Sequence, residues 1–297
     1  MLERKNKAVN IIFPRNSSWV ILSPIEQRIK EKIEKVGVPL KDWDIQINYG
    51  IKTGCNEAFI IDRTKRDELI KQSPNSVDII RPILRGKDIK KYGYNFADKY
   101  LIFIPWHFPL HGDSEIKGAS KEAERAFQRE YPAIYNHLLQ YKDQLSNRNQ
   151  AETGIRYEWY ALQRFGSNYW EDFSKPKICW NRIASKKVFA LVDENILIQD
   201  SMHFFIGDKL KYLCAMLNSN LFRWFLLLLV GNAAGGNAGN SDNIKNLKLY
   251  IPCLEEENRI EKLMEYKNYK EIDNYIYDLY KLTKEEINLV EVYTSSN

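Results

Sequence analysis

Apolar residues recur with a helical period near the start of the chain. Ile25, Ile29 and Ile33 are spaced four residues apart, so they share one face of a helix. Ser23 stands where a helix N-cap is expected, and Gly37 follows the last apolar position as a typical stop. The pattern predicts an amphipathic helix between Ser23 and Gly37.

Farther along the chain, short apolar runs separated by Gly, Pro and Asn are typical of strands joined by turns. Strands are predicted within residues 45–62 (two strands), 99–105, 155–162, 178–192, 196–206 and 247–251. Helices are predicted at 66–72, at 120–145 with a kink or split at Pro132, at 210–230, and at 255–292 with a break near 282–284. This mixture indicates a mixed α+β fold.

The most apolar stretch is Leu221–Val230. It contains Arg223 and is shorter than the roughly 20 residues that a membrane-spanning helix needs. A buried helix is therefore expected, and no membrane segment is predicted. The charged first residues and Pro14 argue against a signal peptide.

The four cysteines are Cys55, Cys179, Cys214 and Cys253. They form no CxxC pair, and no histidine stands at metal-ligand spacing from them, so no metal site is predicted. We interpret them as free thiols in a reducing compartment and expect a cytoplasmic protein.

The charge is only mildly basic overall, with a net charge of +5 and a pI near 8.8. Its distribution is more informative, because the segment from Lys175 to Lys187 holds five Lys or Arg residues and no acid. Acidic residues instead concentrate near Glu255–Glu261. This asymmetry is compatible with one basic face, although a solvated surface with a slight lysine excess would have the same composition.

Two phrases place basic residues beside a glycine in apolar surroundings, at Lys52–Gly54 and at Arg85–Lys87. Exposed backbone N–H groups next to a cation suit a phosphate oxygen. The alternative is structural, because the glycines could serve only a tight hairpin or a bend. Neither phrase has the GxxxxGK order of a nucleotide-binding P-loop.

Two further segments combine aromatic and base-reading side chains. Residues 156–164 alternate aromatic and polar groups, and residues 180–187 are basic and begin with Trp180. Arg suits guanine and Gln suits adenine, so both segments are candidates for base contacts. A half-buried amphipathic strand and a lysine-protected edge strand are the structural alternatives.

No catalytic constellation is predicted. Glu115–Lys117 has the ExK spacing of a nuclease core, but it lies in a polar loop bounded by glycines. His107 and His111 are separated by Pro109, which excludes the helix that would align them on a metal. The sequence contains no Asn-Pro-Pro-Tyr or Asp-Pro-Pro-Tyr and no Gly-rich S-adenosylmethionine loop.

Several phrases, taken in order, resemble a known family. They are GIKTGCNEAFIID, IIRPILRGKDIKKY, KPKICWNRIASKKVFALVDE, YLCAMLNSNLFRWFL and IDNYIYDLYKLTKEEINLVE. Together they resemble the TaqI-like C-terminal specificity domain, which follows an adenine-N6 DNA methyltransferase in type II (IIG-like) restriction–modification enzymes. The resemblance covers about residues 20–297.

The resemblance implies a β-rich target-recognition domain braced by a long helix, with a helical C-terminal portion. It divides the chain into a linker and connector helix (1–44), a DNA target-recognition domain (45–252) and a C-terminal helical segment (253–297). The expected DNA contacts are Lys52, Thr53, Arg85, Lys87, Arg156, Tyr157, Tyr160, Gln163, Arg164, Trp180, Arg182, Lys186 and Lys187.

The implied function is sequence-specific recognition of double-stranded DNA, with no catalysis by this chain alone. The resemblance assigns adenine-N6 methylation and its S-adenosylmethionine to a methyltransferase domain in cis or in trans. It leaves open whether a nuclease and Mg²⁺ accompany that domain. Two alternatives remain: a stand-alone Mg²⁺-dependent nuclease that uses Glu115, and a protein-interaction scaffold with a Tyr- and Trp-rich surface.

Overall fold

The first helix begins and ends as its sequence predicts. In the computed structural model, which describes residues 22–182, 188–231 and 241–295, α1 spans Pro24–Val36. Ser23 and Glu26 form a reciprocal capping box at its start, and Ile29 and Ile33 are buried.

Mixed α+β architecture is confirmed, with 48% of the described residues in helices and 19% in strands and bridges. The strands are β1 (Val38–Pro39), β2 (Ile45–Tyr49), β3 (Ile60–Asp62), β4 (Ile80–Leu84), β5 (Ile89–Lys90), β6 (Gly93–Tyr94), β7 (Lys99–Ile102), β8 (Lys177–Asn181), β9 (Phe189–Val192), β10 (Leu197–Ile198), β11 (Met202–Gly207) and β12 (Lys248–Leu249). After α1, the helices are α2 (Asn56–Phe59), α3 (Arg63–Gln72), α4 (Lys121–Glu130), α5 (Pro132–Leu139), α6 (Lys142–Asn147), α7 (Leu210–Asn218), α8 (Asn220–Gly231), α9 (Ser241–Lys245), α10 (Leu254–Glu265), α11 (Tyr269–Leu279) and α12 (Lys284–Ser295).

Two four-stranded sheets organise these elements. The central sheet has the order β2-β11-β8-β9 and is antiparallel throughout. The other sheet has the order β10-β4-β7-β3, in which β10 runs parallel to β4 and the remaining pairs are antiparallel. Two short pairs, β1-β12 and β5-β6, are the other strand pairs among the described residues, and a few isolated bridges lie outside the named strands.

The central sheet lies between two hydrophobic cores. The first core joins Cys179, Phe204, Met202, Ala190 and Val192 of this sheet to the other sheet and to α4 and α5. The second core joins Ile178, Trp180, Phe189 and Phe205 to α1, α7, α8 and the C-terminal helices α10–α12. Because successive side chains of a strand point to opposite faces, β8, β9 and β11 each contribute to both cores, while Ile45 and Ile47 of β2 pack against the second.

The predicted long helix at residues 210–230 is two helices, α7 and α8. Ser219 adopts an extended backbone at their junction, and its Oγ accepts a hydrogen bond from Phe222 N at 3.3 Å while donating to Met216 O at 2.8 Å. This side chain caps the second helix, which explains the break. Among the described residues no helix is both long enough and apolar enough to cross a bilayer.

The strand prediction for residues 155–162 is wrong. This segment consists of turns, in which Gly154 N donates to Tyr157 O and Ala161 N donates to Glu158 O. Residues 157–163 are all buried, so the alternation of inward and outward side chains that defines a half-buried strand is absent.

Other boundaries shift for local reasons. The C-terminal helical region has the predicted break before α12 and an additional break between α10 and α11. The predicted split at Pro132 is confirmed, because α4 ends at Glu130 and Pro132 opens α5. Residues 196–206 form two strands, β10 and β11, separated by the polar residues Gln199–Ser201. The division of the chain into domains at residues 44 and 252 stays a prediction.

Candidate functional site

Two basic residues lie directly opposite each other across a backbone bridge. Lys52 N donates to Arg164 O and Arg164 N donates to Lys52 O, both at 2.9 Å, which forms an isolated antiparallel bridge. Arg164 is exposed and Lys52 is half-exposed. Neither side chain has an ion-pair partner within the described part of the chain. Like charges at directly opposed positions destabilise a bridge unless an anion lies between them.

A three-residue turn, Gln199–Ser201, connects this pair to the rest of the site, and we call it the central turn. Asp200 N donates to Ile51 O at 3.0 Å, and Gln199 N donates to Leu84 O at 3.0 Å. On its other side, Arg182 N donates to Ser201 O at 3.0 Å. The backbone of the turn is therefore held by three separate segments of the fold.

Gly50, two residues before Lys52, and Gly86, of the second basic phrase, allow close packing around the central turn. A Cβ atom at Gly50 would lie 2.1 Å from Gln199 O, and one at Gly86 would lie 2.2 Å from Asn181 Oδ1 and 3.4 Å from Ser201 Oγ. Gly50 N also donates to Met202 O at 3.1 Å. The N–H group of Gly50 is therefore used within the fold, and its glycine serves close backbone packing.

Two more exposed cations flank the same turn. The Arg182 guanidinium donates to Asp200 O at 3.3 Å, and Asn181, its neighbour in sequence, donates from Nδ2 to Gly86 O at 3.0 Å. Lys87 follows Gly86 and is exposed. We call Lys52, Lys87, Arg164 and Arg182 the basic rim.

Arg85 is not part of the basic rim, because Asp88 binds it. Its Nε and Nη2 atoms donate to Asp88 Oδ2 and Oδ1, each at 2.9 Å, and its backbone N–H donates to Oδ2 as well. Burial raises the pKa of the Asp88 carboxyl, but the hydrogen bonds from Arg85 outweigh burial and leave that pKa below its usual value. This bidentate pair stabilises the loop after β4.

Several expected contacts are buried in this conformation. Tyr157, Tyr160 and Trp180 have no exposed surface, while Thr53 and Gln163 are almost fully buried. The fold uses their polar groups internally, as when Tyr160 Oη donates to Phe108 O at 2.9 Å. These five side chains cannot reach a duplex here, so we leave them out of the interface that we propose below.

The remaining expected contacts lie elsewhere. Arg156 is exposed, but it forms an ion pair with Glu152 at 2.9 Å and its guanidinium lies over the Trp106 ring. Neither partner belongs to the central turn. Lys186 and Lys187 lie outside the described residues. Among the expected contacts that the structure describes, it therefore brings together Lys52, Arg164, Arg182 and Lys87.

A buried arginine that the sequence analysis did not single out supports the basic rim. The Arg148 guanidinium donates to Thr53 O at 2.6 Å and to Ala161 O, so it ties the segment that carries Lys52 to the one that leads to Arg164. Burial lowers the pKa of Arg148. Backbone carbonyl oxygens accept these charged hydrogen bonds, and no sequence motif marks such a role.

Tyr49 and the central turn were also not singled out. Tyr49 lies at the end of β2 with 49% of its surface exposed, and its ring meets His203 edge-on at 4.7 Å. The central turn did leave a signal, because Gln199–Ser201 interrupts an apolar run in ILIQDSMHFF. Three consecutive polar residues there argue against one continuous buried strand.

The candidates for chemistry have structural roles or are isolated. His107 Nδ1 lies 3.0 Å from Glu158 Oε1, and the Glu158 carboxylate also accepts the backbone N–H groups of His107 and Ser120. Glu115 and Lys117 are exposed in a loop. Across the described ranges, no group of three or more His, Cys, Asp or Glu side chains is arranged to hold a metal ion.

Comparisons with known proteins agree with the sequence resemblance. Residues 81–236, more than half of the chain, match the family described as the TaqI-like C-terminal specificity domain. The type II methyltransferase M.MjaIV of Methanocaldococcus jannaschii is 24% identical over 247 residues, which cover 80% of this chain and 76% of that protein.

Two solved structures align with this chain. The type IIL restriction–modification enzyme MmeI, solved in complex with DNA, has a TM-score of 0.51 and 11% identity over 84% of this chain and 34% of its own. The type IIG restriction endonuclease BpuSI has a TM-score of 0.49 and 13% identity over 82% of this chain and 28% of its own. The chain thus spans about a third of the length of these enzymes.

Proposed function

Because the chain belongs to the TaqI-like C-terminal specificity domain family, we propose that it recognises a specific sequence in double-stranded DNA on behalf of a DNA methyltransferase. The observation that supports this most directly is the bridge between Lys52 and Arg164, which sets two cations opposite each other that have no ion-pair partner among the described residues. An isolated protein gains nothing from this like-charge pair, whereas a phosphate backbone between the two side chains would neutralise it.

The proposed interface consists of the basic rim around the central turn. Lys52, Lys87, Arg164 and Arg182 contact phosphates and fix the position of the chain on the duplex. Polar side chains between them face the base edges. Arg148 does not contact DNA in this proposal; it keeps the segments of Lys52 and Arg164 at a fixed separation through its bonds to their carbonyl groups.

We place the chemistry in a separate methyltransferase domain, in cis or in trans, which binds S-adenosylmethionine as the methyl donor. The 297 residues contain neither the Asn-Pro-Pro-Tyr nor the Asp-Pro-Pro-Tyr tetrapeptide that holds a target adenine, and no Gly-rich cofactor loop, so they do not fit that cofactor. The relative M.MjaIV is named a methyltransferase, which supports a methylating parent enzyme. Adenine-N6 is the proposed position of methylation.

The interface is tested by the salt dependence of DNA binding. Fluorescence anisotropy with a labelled mixed-sequence duplex should show affinity that falls linearly on a double-logarithmic plot against KCl concentration. Lys52→Ala and Arg164→Ala should each weaken binding and reduce the slope of that plot by about 1, because each removes one phosphate contact.

Arg129→Ala is the matched control. Arg129 is 73% exposed on α4 and pairs with Glu130, so its loss removes the same charge outside the basic rim. An equal effect of Arg129→Ala, or no binding of the unaltered chain to any duplex at low salt, would refute the interface. Methyl transfer by the chain alone, with S-adenosylmethionine and an unmethylated duplex, would refute the separate catalytic domain.

A further inference from the structure

An acidic side chain stands in the middle of the basic rim. Asp200 is the central residue of the turn, and it is half-exposed. Its backbone is bonded to Ile51 on one side and to the Arg182 guanidinium on the other. Its carboxylate makes no hydrogen bond or ion pair with any described residue, although basic side chains flank it.

A free carboxylate at this position opposes nonspecific binding of DNA. Two unit charges a few ångströms apart interact by about 1 kcal/mol even in water, so an acid that faces phosphates repels them. A surface evolved only to hold the backbone would place a neutral or basic residue here. A carboxylate becomes favourable when it meets a hydrogen-bond donor, and the donors at the base edges of the major groove are the exocyclic amino groups of cytosine and adenine.

The central turn also has the rigidity that base reading requires. Ile51, Leu84 and Arg182 fix its backbone from different segments, and Gly50 allows the chain to approach it closely. A side chain on such a turn is held in one place. If the base pair opposite it presents the wrong group, the turn cannot shift to make a substitute contact. Gln199 and Ser201 flank Asp200 with further donors and acceptors.

We infer that Asp200 is a specificity-determining residue that accepts a hydrogen bond from an exocyclic amino group, cytosine N4 or adenine N6, in the major groove. This inference rests on the proposed function, because it needs the basic rim to bind a duplex. It assigns the rim to affinity and the central turn to the choice of base pair.

The test uses Asp200→Ala in the full 297-residue chain. Alanine removes both the charge and the hydrogen-bond acceptor, whereas asparagine would keep an acceptor oxygen and could itself pair with adenine. Selection from a pool of duplexes with a randomised centre gives the preferred sequence of the unaltered chain and of the variant. At one base pair, the preference for the pair that presents an amino group should fall about 5- to 150-fold.

On a duplex that lacks the preferred sequence, the same variant should bind up to about fivefold more tightly than the unaltered chain at low salt. The reason is that the repulsion between the carboxylate and the phosphates is removed. Higher affinity for a nonspecific duplex together with lower base preference indicates that Asp200 reads a base. A damaged fold would instead lower both the affinity and the preference. Whether cytosine or adenine is lost from the selected position identifies the base.

Asp208→Ala is the control, because Asp208 follows the far end of β11 and its loss changes the net charge equally. An unchanged preference of Asp200→Ala would overturn the role of Asp200 and leave the proposed function intact. An unaltered chain that binds every duplex alike would overturn both, although the basic rim would still account for binding. If the unaltered chain binds no duplex, the proposed function itself fails and the role of Asp200 fails with it.

Discussion

At the scale of single residues, Lys177 is a cation that the fold buries completely. Its Nζ atom donates to Asp193 O at 3.2 Å and to Ile196 O at 3.3 Å, and no carboxylate lies within ion-pair distance among the described residues. Burial lowers the pKa of Lys177 to about 8. The lysine thus holds the segment between β9 and β10, which leads to the central turn.

This pKa makes stability depend on pH in a defined direction. The folded chain loses the Lys177 proton at about pH 8, whereas the unfolded chain keeps it until about pH 10.5. Between these values the unfolded chain binds more protons, so the free energy of unfolding contributed by this residue rises with pH. Below pH 8 both states are protonated, and the cost of burying the charge is fully present.

Comparison with Lys177→Met isolates that contribution, because the other titrating groups are common to both chains. Urea unfolding should show that the free energy of unfolding of the unaltered chain, relative to the variant, rises by about 1–2 kcal/mol between pH 8 and pH 9.5. Parallel pH profiles of the two chains would show that Lys177 is not buried as a cation.

At the scale of elements, the site depends on a close approach between the end of β2 and the central turn. Only a hydrogen fits between Gly50 and Gln199 O, since a Cβ atom there would lie 2.1 Å from that oxygen. The opposing atom is backbone, so it cannot rotate away.

Gly50→Ala should therefore displace the central turn. The expected loss in the free energy of unfolding is about 1–3 kcal/mol, as for other overpacked sites, together with weaker DNA binding. Urea unfolding and anisotropy measure the two effects. Gly93→Ala serves as the control, because its Cβ atom would meet nothing within 4 Å, and a similar loss there would remove the steric explanation.

Sequence reasoning located most elements and about half of the site. The capping box of α1 and the split at Pro132 depend on neighbouring residues, so local patterns were sufficient to predict them. Residues 155–162 were mispredicted, because an aromatic run that is buried on all sides has the same composition as a strand.

The site was only partly predictable because its residues converge from distant segments. Lys52 and Arg164 are 112 positions apart in sequence and become opposed only through a bridge. Arg148 donates to backbone carbonyl groups, which every residue type has, so the sequence does not reveal which residues it binds. The burial of Tyr157 and Trp180 depends on packing across the two cores, which no local pattern reports.

At the scale of the whole molecule, the central sheet couples the two cores. Cys179 belongs to the first core, while its neighbours Ile178 and Trp180 belong to the second. Loosening either core therefore disturbs strands that the other core needs. The C-terminal helices belong to this arrangement, since Ile276 of α11 is fully buried in the second core.

Unfolding should accordingly be a single transition. Phe127→Ala in the first core and Ile276→Ala in the second should each cost about 2–5 kcal/mol and move the entire curve. Tryptophan fluorescence and far-ultraviolet circular dichroism should give coincident curves for both variants. Tyr266→Ala, at a residue that is 82% exposed, should leave the midpoint nearly unchanged. Two separate transitions would mean that the cores fold independently.

The double-sided packing of the central sheet also limits where this protein can vary. Every inward-facing position on either face is committed to a neighbour, so substitutions there are selected against for stability alone. The side chains of the turns at the ends of the strands carry no such obligation, although the backbone of the central turn is fixed. With the role proposed for this turn, new DNA targets arise by exchange of a few residues within Gln199–Ser201, and relatives that diverge in target should share their cores and differ at this turn.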